Sequence, residues 1–434
     1  VAKARSAAEV GATPTPATTN AADHRYPCFD GLRAIAALAV LLTHVAYASG
    51  AESQHVLGPF FARMDGGVAV FFVLSGFLLY LPFLRARLDD RPHPSTPSYL
   101  WRRFLRIYPA YWLAMTVVVY VFQDKAIADV RGFALWYSLL HIYDAKYAFG
   151  PLVQSWTLAT EVAFYVLLPV WAALVRLLGR ALGDARGVRR LRGEIVGIAT
   201  LVAISVAWKA FVLSAGFSQG RIGQLKLWLP WWLDLFGFGM LLAVGAVAVR
   251  DLGRPTPLRL DGRAAPAVCW ALALGAFAWV SYGAGLPHAS PDIANHLLWG
   301  QHYLYGLTAV LLVLPAVFGP QTRESSRVRR FLTTRTMVYL GMISYGIYLW
   351  HEALIDRYLS LTGFHDPGRS AFSLYGSDVP FQWHTSQWIS VPWFTFVLAL
   401  LAATIVCATI SWYALERPVL RLKDLPQRLR ARGA

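Results

Sequence analysis

Arg33 and His44 stand eleven residues apart in the segment FDGLRAIAALAVLLTH, with mostly apolar residues between them. Eleven residues make close to three helical turns, so both side chains share one face, roughly 16 Å apart along the axis. Histidine is the side chain best suited to exchange a proton near neutral pH, and arginine grips anions through a rigid fork. A lone histidine on a helix is more often a packing residue, but alignment with an arginine on one face favours chemistry. A second group follows in WRRFLRIYPAYW, where Arg103 and Arg106 are three apart with Arg102 beside them. Such forks hold phosphate bidentately, although the same residues also serve as plain charge anchors at a membrane face.

The chain that must position these residues is 56% hydrophobic and only 15% charged, too apolar for an ordinary soluble protein. This composition predicts an all-α polytopic membrane protein. A hydrocarbon core about 30 Å thick needs roughly 20 apolar residues in a helix. Ten runs qualify, near 31–50, 66–84, 106–123, 153–175, 195–216, 227–249, 265–285, 299–319, 337–359 and 391–415. The stretch from Gly132 to Tyr143 is too short to cross and is expected at an interface. With the N-terminus in the cytoplasm, thirty of the 40 Lys and Arg fall in cytoplasmic segments and seven in external ones. That asymmetry predicts ten transmembrane helices with both termini cytoplasmic, in the inner (plasma) membrane. The net charge of +16 then reflects topology and anionic lipid, with no call for nucleic acid.

Residues 1–25 read as a disordered cytoplasmic tail, 26–422 as the transmembrane domain and 423–434 as a basic cytoplasmic tail. The three cysteines, Cys28, Cys269 and Cys407, share no metal or redox spacing, and no metal is expected.

Ionisable groups within spans are costly and mark function or pairing. His44, Glu161, Lys209, Asp234, His351 and Glu352 all fall in the outer half of their spans, which implies a polar cavity opening outward. Lys209 and Asp234, at matched depth on consecutive spans, are expected to form a structural ion pair. Glu352 is also expected to be structural.

The chain resembles the membrane-bound acyltransferase 3 family, bacterial O-acyltransferases of surface glycans and antibiotics. Six segments carry the resemblance, from about Tyr26 to Leu422. They are FDGLRAIAALAVLLTH with Arg33 and His44, GGVAVFFVLSGFLL, RRFLRIYPAYW with Arg103 and Arg106, SWTLATEVAFYVLLP with Glu161, SYGIYLWHEAL with His351, and ERPVLRL. The resemblance implies an acyl-coenzyme A donor (acyl-CoA, most simply acetyl-CoA) reached from the cytoplasm, an acceptor hydroxyl presented from outside, and an essential Arg and His on the first span.

Together these readings assign Arg33, Arg103 and Arg106 to the donor phosphates and His44 to the acceptor proton. Glu161 would orient the imidazole or hold a sugar hydroxyl. Ser75, Trp156, Tyr345 and His351 are possible acceptor or supporting residues, and the oxyanion donor stays open. The segment from Ser360 to Ser390 is expected to be external and to recognise the acceptor. The competing class is a transporter or flippase, which also uses intramembrane charges at midplane. No internal repeat pairs the two halves, and a carrier gives no reason for an arginine cluster at one entrance.

Overall fold

The computed structural model describes residues 26–49, 51, 56–123, 127–181, 183, 190–286, 294–320, 322–361 and 391–425. The two tails and the segment from Ser360 to Ser390 lie almost wholly outside the described residues. Among the described residues the chain forms helices and no strand.

The principal helices are α1 (Cys28–Ser49), α2 (Gly67–Leu88), α3 (Thr96–Thr116), α4 (Val130–Tyr137), α5 (Ser155–Ala181), α6 (Arg190–Ser214), α7 (Leu229–Arg250), α8 (Ala265–Ala278), α9 (Asn295–Val317), α10 (Arg335–Met342), α11 (Ser344–Leu361) and α12 (Val391–Ser411). Nine helical stretches among the described residues are long and apolar enough to cross a membrane. The run at 337–359 is not one of them, because the helix breaks at Ile343 into α10 and α11. Ser344 turns its hydroxyl back onto the Gly341 carbonyl at 2.8 Å there. The break lets α1 pack against both pieces. Gly132 to Tyr143 forms only the eight-residue α4 and a short 3₁₀ turn. Asp129 caps α4 by accepting from the Gly132 N–H at 2.6 Å.

Lipid-facing surface is legible on α5, where Val166, Val170, Leu174 and Leu177 recur at helical spacing and are all half or more exposed. An exposed stripe of that kind is stable against hydrocarbon and unfavourable against water. On the inward side, α2 and α7 meet backbone to backbone. A Cβ on Gly76 would lie 2.1 Å from the Phe236 carbonyl oxygen, and one on Gly239 would lie 2.0 Å from that of Val73. Small residues are what allow such contact between membrane helices. The contact holds α2, and with it Ser75, in place.

Two polar links tie the bundle internally. Arg87 of α2 donates to Glu194 of α6 at 2.5 Å, and Tyr80 also bonds that carboxylate. Lys209 donates to Asp234 at 2.8 Å and to Ser205 at 2.7 Å, as the matched depth predicts.

α3 begins ten residues before the predicted apolar run, at Thr96, with Pro97 in its first turn. Arg102, Arg103 and Arg106 are therefore inside a helix rather than ahead of one. The apolar run ends where charge begins, but the hydrogen-bond ladder does not.

Candidate active site

Arg33 from α1, Ser75 from α2, Arg103 and Arg106 from α3, Glu161 and Tyr165 from α5, and Tyr345 and Tyr348 from α11 line one cavity of about 370 Å³. Three guanidinium groups from two helices thus face one space. Arg33 holds Asp30 at 3.0 Å. Arg106 lies 4.0 Å from the Glu416 carboxylate and 5.7 Å from the Tyr345 ring centre. Arg103 sits over the rings of Tyr99 and Tyr165 at 5.8 and 5.9 Å, and no carboxylate among the described residues pairs with it. Its Nε is buried without a hydrogen-bond partner among the described residues. Cationic forks in a low-dielectric cavity, one of them lacking a counter-ion among the described residues, make a site for an anion.

Glu161 is held on the cavity wall by Ser75, whose hydroxyl donates to Oε1 at 2.6 Å. The carboxylate stands within electrostatic reach of Arg33. It is thus hydrogen-bonded to a hydroxyl on α2, and the expected role in orienting the imidazole or holding a sugar hydroxyl stays a proposal. Tyr345 lines the cavity but commits its hydroxyl to the Ile107 carbonyl at 2.7 Å. Trp156 does not line it; its ring packs on Trp232 at 5.4 Å.

His44 and His351 lie together, outside the cavity lining. The rings are 4.9 Å apart, and His44 Nδ1 is 3.2 Å from His351 Nε2. His44 Nδ1 also contacts the Val40 carbonyl at 2.8 Å, and His351 Nδ1 contacts that of Ile347 at 3.2 Å. Tyr348 forms the partition. Its ring is 5.8 Å from His351 on one side and 5.8 Å from Phe71, and both Tyr348 and Phe71 line the arginine cavity. The histidine pair is therefore one aromatic layer from the arginines. Glu352 adjoins the pair, and one donor atom from each of His44, His351 and Glu352 falls within 4.8 Å of the others. That set contains the ligand types a divalent metal takes.

Several polar residues of this region escaped the sequence reading. His302 donates to Asp234 at 3.0 Å, which joins it to the Lys209 pair. Tyr305 donates to Asp65 at 2.5 Å, and Asp65 is within electrostatic reach of His44. His302 falls inside the apolar run at 299–319 and is visible by the rule that an ionisable group in a span needs an explanation. Tyr348 carries no comparable signal, since aromatic residues are common in these spans.

The description "acyltransferase domain" belongs to the family model that matches residues 26–413. Among curated proteins, the chain is 25% identical to the acyltransferase MdmB of Streptomyces mycarofaciens over 413 residues, covering 92% of both chains. It is 23% identical over 352 residues to the peptidoglycan O-acetyltransferase OatA of Listeria monocytogenes, covering 78% of this chain and 50% of that protein. The putative peptidoglycan O-acetyltransferase YrhL of Bacillus subtilis is 25% identical over 411 residues, covering 91% and 55%. The chain thus spans about half the length of OatA and YrhL and nearly all of MdmB. No solved structure matches it. The helical membrane fold and a family match across almost all of the described helices agree, and the chain belongs to the acyltransferase 3 family.

Proposed function

We propose that this protein is a membrane O-acyltransferase that moves an acetyl or other short acyl group from cytoplasmic acyl-CoA to a hydroxyl of an extracytoplasmic sugar, glycolipid or related acceptor. One observation carries the reading: three arginines gather in one cavity that Phe71 and Tyr348 also line, and the Tyr348 ring is 5.8 Å from that of His351. At about 370 Å³ it is of the size of a ligand site, which runs from about 300 to 1,000 Å³.

Arg33, Arg103 and Arg106 bind donor phosphates, and the thioester arm runs past the aromatic layer toward His44. His44 takes the proton of the acceptor hydroxyl as its oxygen attacks the thioester carbonyl. The new C–O bond replaces the C–S bond, and the proton passes from the imidazolium to the departing thiolate. General-base help of this kind contributes about 10² to 10⁴ in rate. Glu161 serves the cavity side, where Ser75 holds it. The names of OatA and MdmB support an acyltransferase. Cytoplasmic termini, a ten-span count and a plasma-membrane location complete the proposal, supported by the charge asymmetry.

The test is transfer across a bilayer. Labelled acetyl-CoA supplied only to the arginine side of oriented vesicles should yield acetyl ester on a glycan acceptor confined to the other side. Ester formed only when donor and acceptor share one side would overturn the cross-membrane reading, and no ester in any arrangement of peptidoglycan, glycolipid or sugar acceptors would overturn the activity.

A further inference from the structure

Each histidine of the pair has its Nδ1 against the carbonyl one turn earlier in its own helix, Val40 at 2.8 Å for His44 and Ile347 at 3.2 Å for His351. A carbonyl oxygen has only lone pairs to offer, so a ring nitrogen that meets it at hydrogen-bond distance carries a proton. Both Nδ1 atoms are therefore N–H donors. In a neutral imidazole the other nitrogen is then bare. His351 Nε2, 3.2 Å from His44 Nδ1, accepts part of the same hydrogen bond that His44 gives to Val40. The reverse tautomers would set lone pairs against both carbonyls at once, so two independent backbone contacts select one arrangement.

Resting on the proposed role of His44, we propose that His351 is its positioning residue: it holds His44 in the Nδ1–H tautomer, so that Nε2 is the nitrogen that takes the acceptor proton. His351 is fully buried, and its own Nδ1 is committed to Ile347, which keeps it an acceptor toward His44. Once His44 is protonated, Nδ1–H remains shared between Val40 and His351, and the ring does not have to turn during the reaction. A protein-held orienting partner for a catalytic imidazole is the general arrangement by which such bases are fixed. Here a second imidazole fills the place that a carboxylate more often takes. The same geometry argues against metal bridging, because a metal would need a lone pair on His44 Nδ1, where the Val40 carbonyl requires a proton, or would have to displace the hydrogen bond between the rings.

Solid-state NMR of the ¹⁵N-histidine protein in lipid tests this without any variant in the measured sample, with His44 resonances identified by their absence in His44→Gln. The expected spectrum shows His44 with a protonated Nδ1 and a bare Nε2. An Nε2–H tautomer, or shifts of metal-bound nitrogen with stoichiometric zinc, would overturn the assignment. In kinetics, His351→Ala should lower kcat by about 10²-fold, the cost of misplacing a reacting group by an ångström. The KM for acetyl-CoA should stay as in the parent. His351→Gln, whose side-chain carbonyl accepts in place of Nε2, should regain most of the loss. Equal loss in Ala and Gln, or a kcat unchanged in Ala, would sink the proposal. Parent-like turnover in His44→Ala would instead remove the base reading and leave the tautomer measurement standing, so the two fail separately.

Discussion

Ser75 on α2 and Glu161 on α5 are 86 residues apart in sequence, and their hydrogen bond of 2.6 Å fixes a carboxylate on the wall of a cavity that three arginines line. Without Ser75, Glu161 would turn toward the guanidinium groups and compete with an incoming phosphate. Ser75→Ala should therefore weaken donor binding by roughly threefold to tenfold, equivalent to about 0.7–1.4 kcal/mol. Glu161→Gln removes the competing charge and should tighten binding of coenzyme A. Calorimetry on both variants decides the matter, and weaker binding in Glu161→Gln would contradict it.

Arg103 is the guanidinium of the cavity with no carboxylate partner among the described residues. Arg103→Ala should reduce coenzyme A affinity by about 1.5–3 kcal/mol, the range for hydrogen bonds to charged groups. Lysine is not expected to restore it, because a point charge cannot reproduce a planar fork stacked on two tyrosine rings. Binding by thermal shift in detergent is the check, and full rescue by Arg103→Lys would reduce the contact to charge alone.

His44→Ala should leave a folded protein that binds the donor and transfers acyl groups about 10² to 10⁴ times more slowly. His44→Gln keeps hydrogen bonding without basicity and should fail almost as badly. A residue needed only for packing would behave in the opposite order, with Ala unfolded and Gln partly rescued.

The Lys209–Asp234 pair is buried on both sides, and His302 and Ser205 complete its hydrogen bonds. Removing one partner of such a pair strands the other charge, so Lys209→Ala should cost about 3–5 kcal/mol. The double change Lys209→Met with Asp234→Asn should recover most of that stability. Thermal unfolding of the two variants, together with turnover of the folded fraction, separates this structural role from a catalytic one.

Between α4 and α5, burial pushes His141 from its ordinary value of 6.5 down to about 4. The folded protein resists the proton that the unfolded chain binds, so stability is complete above pH 6.5 and declines as pH falls through 4. The full loss is about 3 kcal/mol at 1.36 kcal/mol per unit. His141→Gln should flatten that part of the pH–stability curve, measured by thermal unfolding in detergent. An unchanged curve would mean that His141 is hydrated in solution.

The membrane architecture, most of the spans and the chemistry-bearing residues of α1 and α3 are written in local sequence, because a helix must bury or expose each residue according to a 3.6-residue period and a lipid-facing run must be apolar. Matched depth was enough to pair Lys209 with Asp234. What local pattern could not set is which helix faces which. His44 and His351 are 307 residues apart, and no spacing rule joins them; only the packing of α1 against α11 does so. Likewise Glu161 shares depth with His44 but is turned to Ser75 on α2, a choice made by helix rotation rather than by depth. Hydropathy also ended the third span at its arginines, whereas α3 continues through them because its backbone hydrogen bonds do not depend on side-chain charge. Sequence by itself determined most of the elements and the residue types they carry, and tertiary structure decided the partners, since rotation and contact between helices are set by side-chain packing across distant parts of the chain.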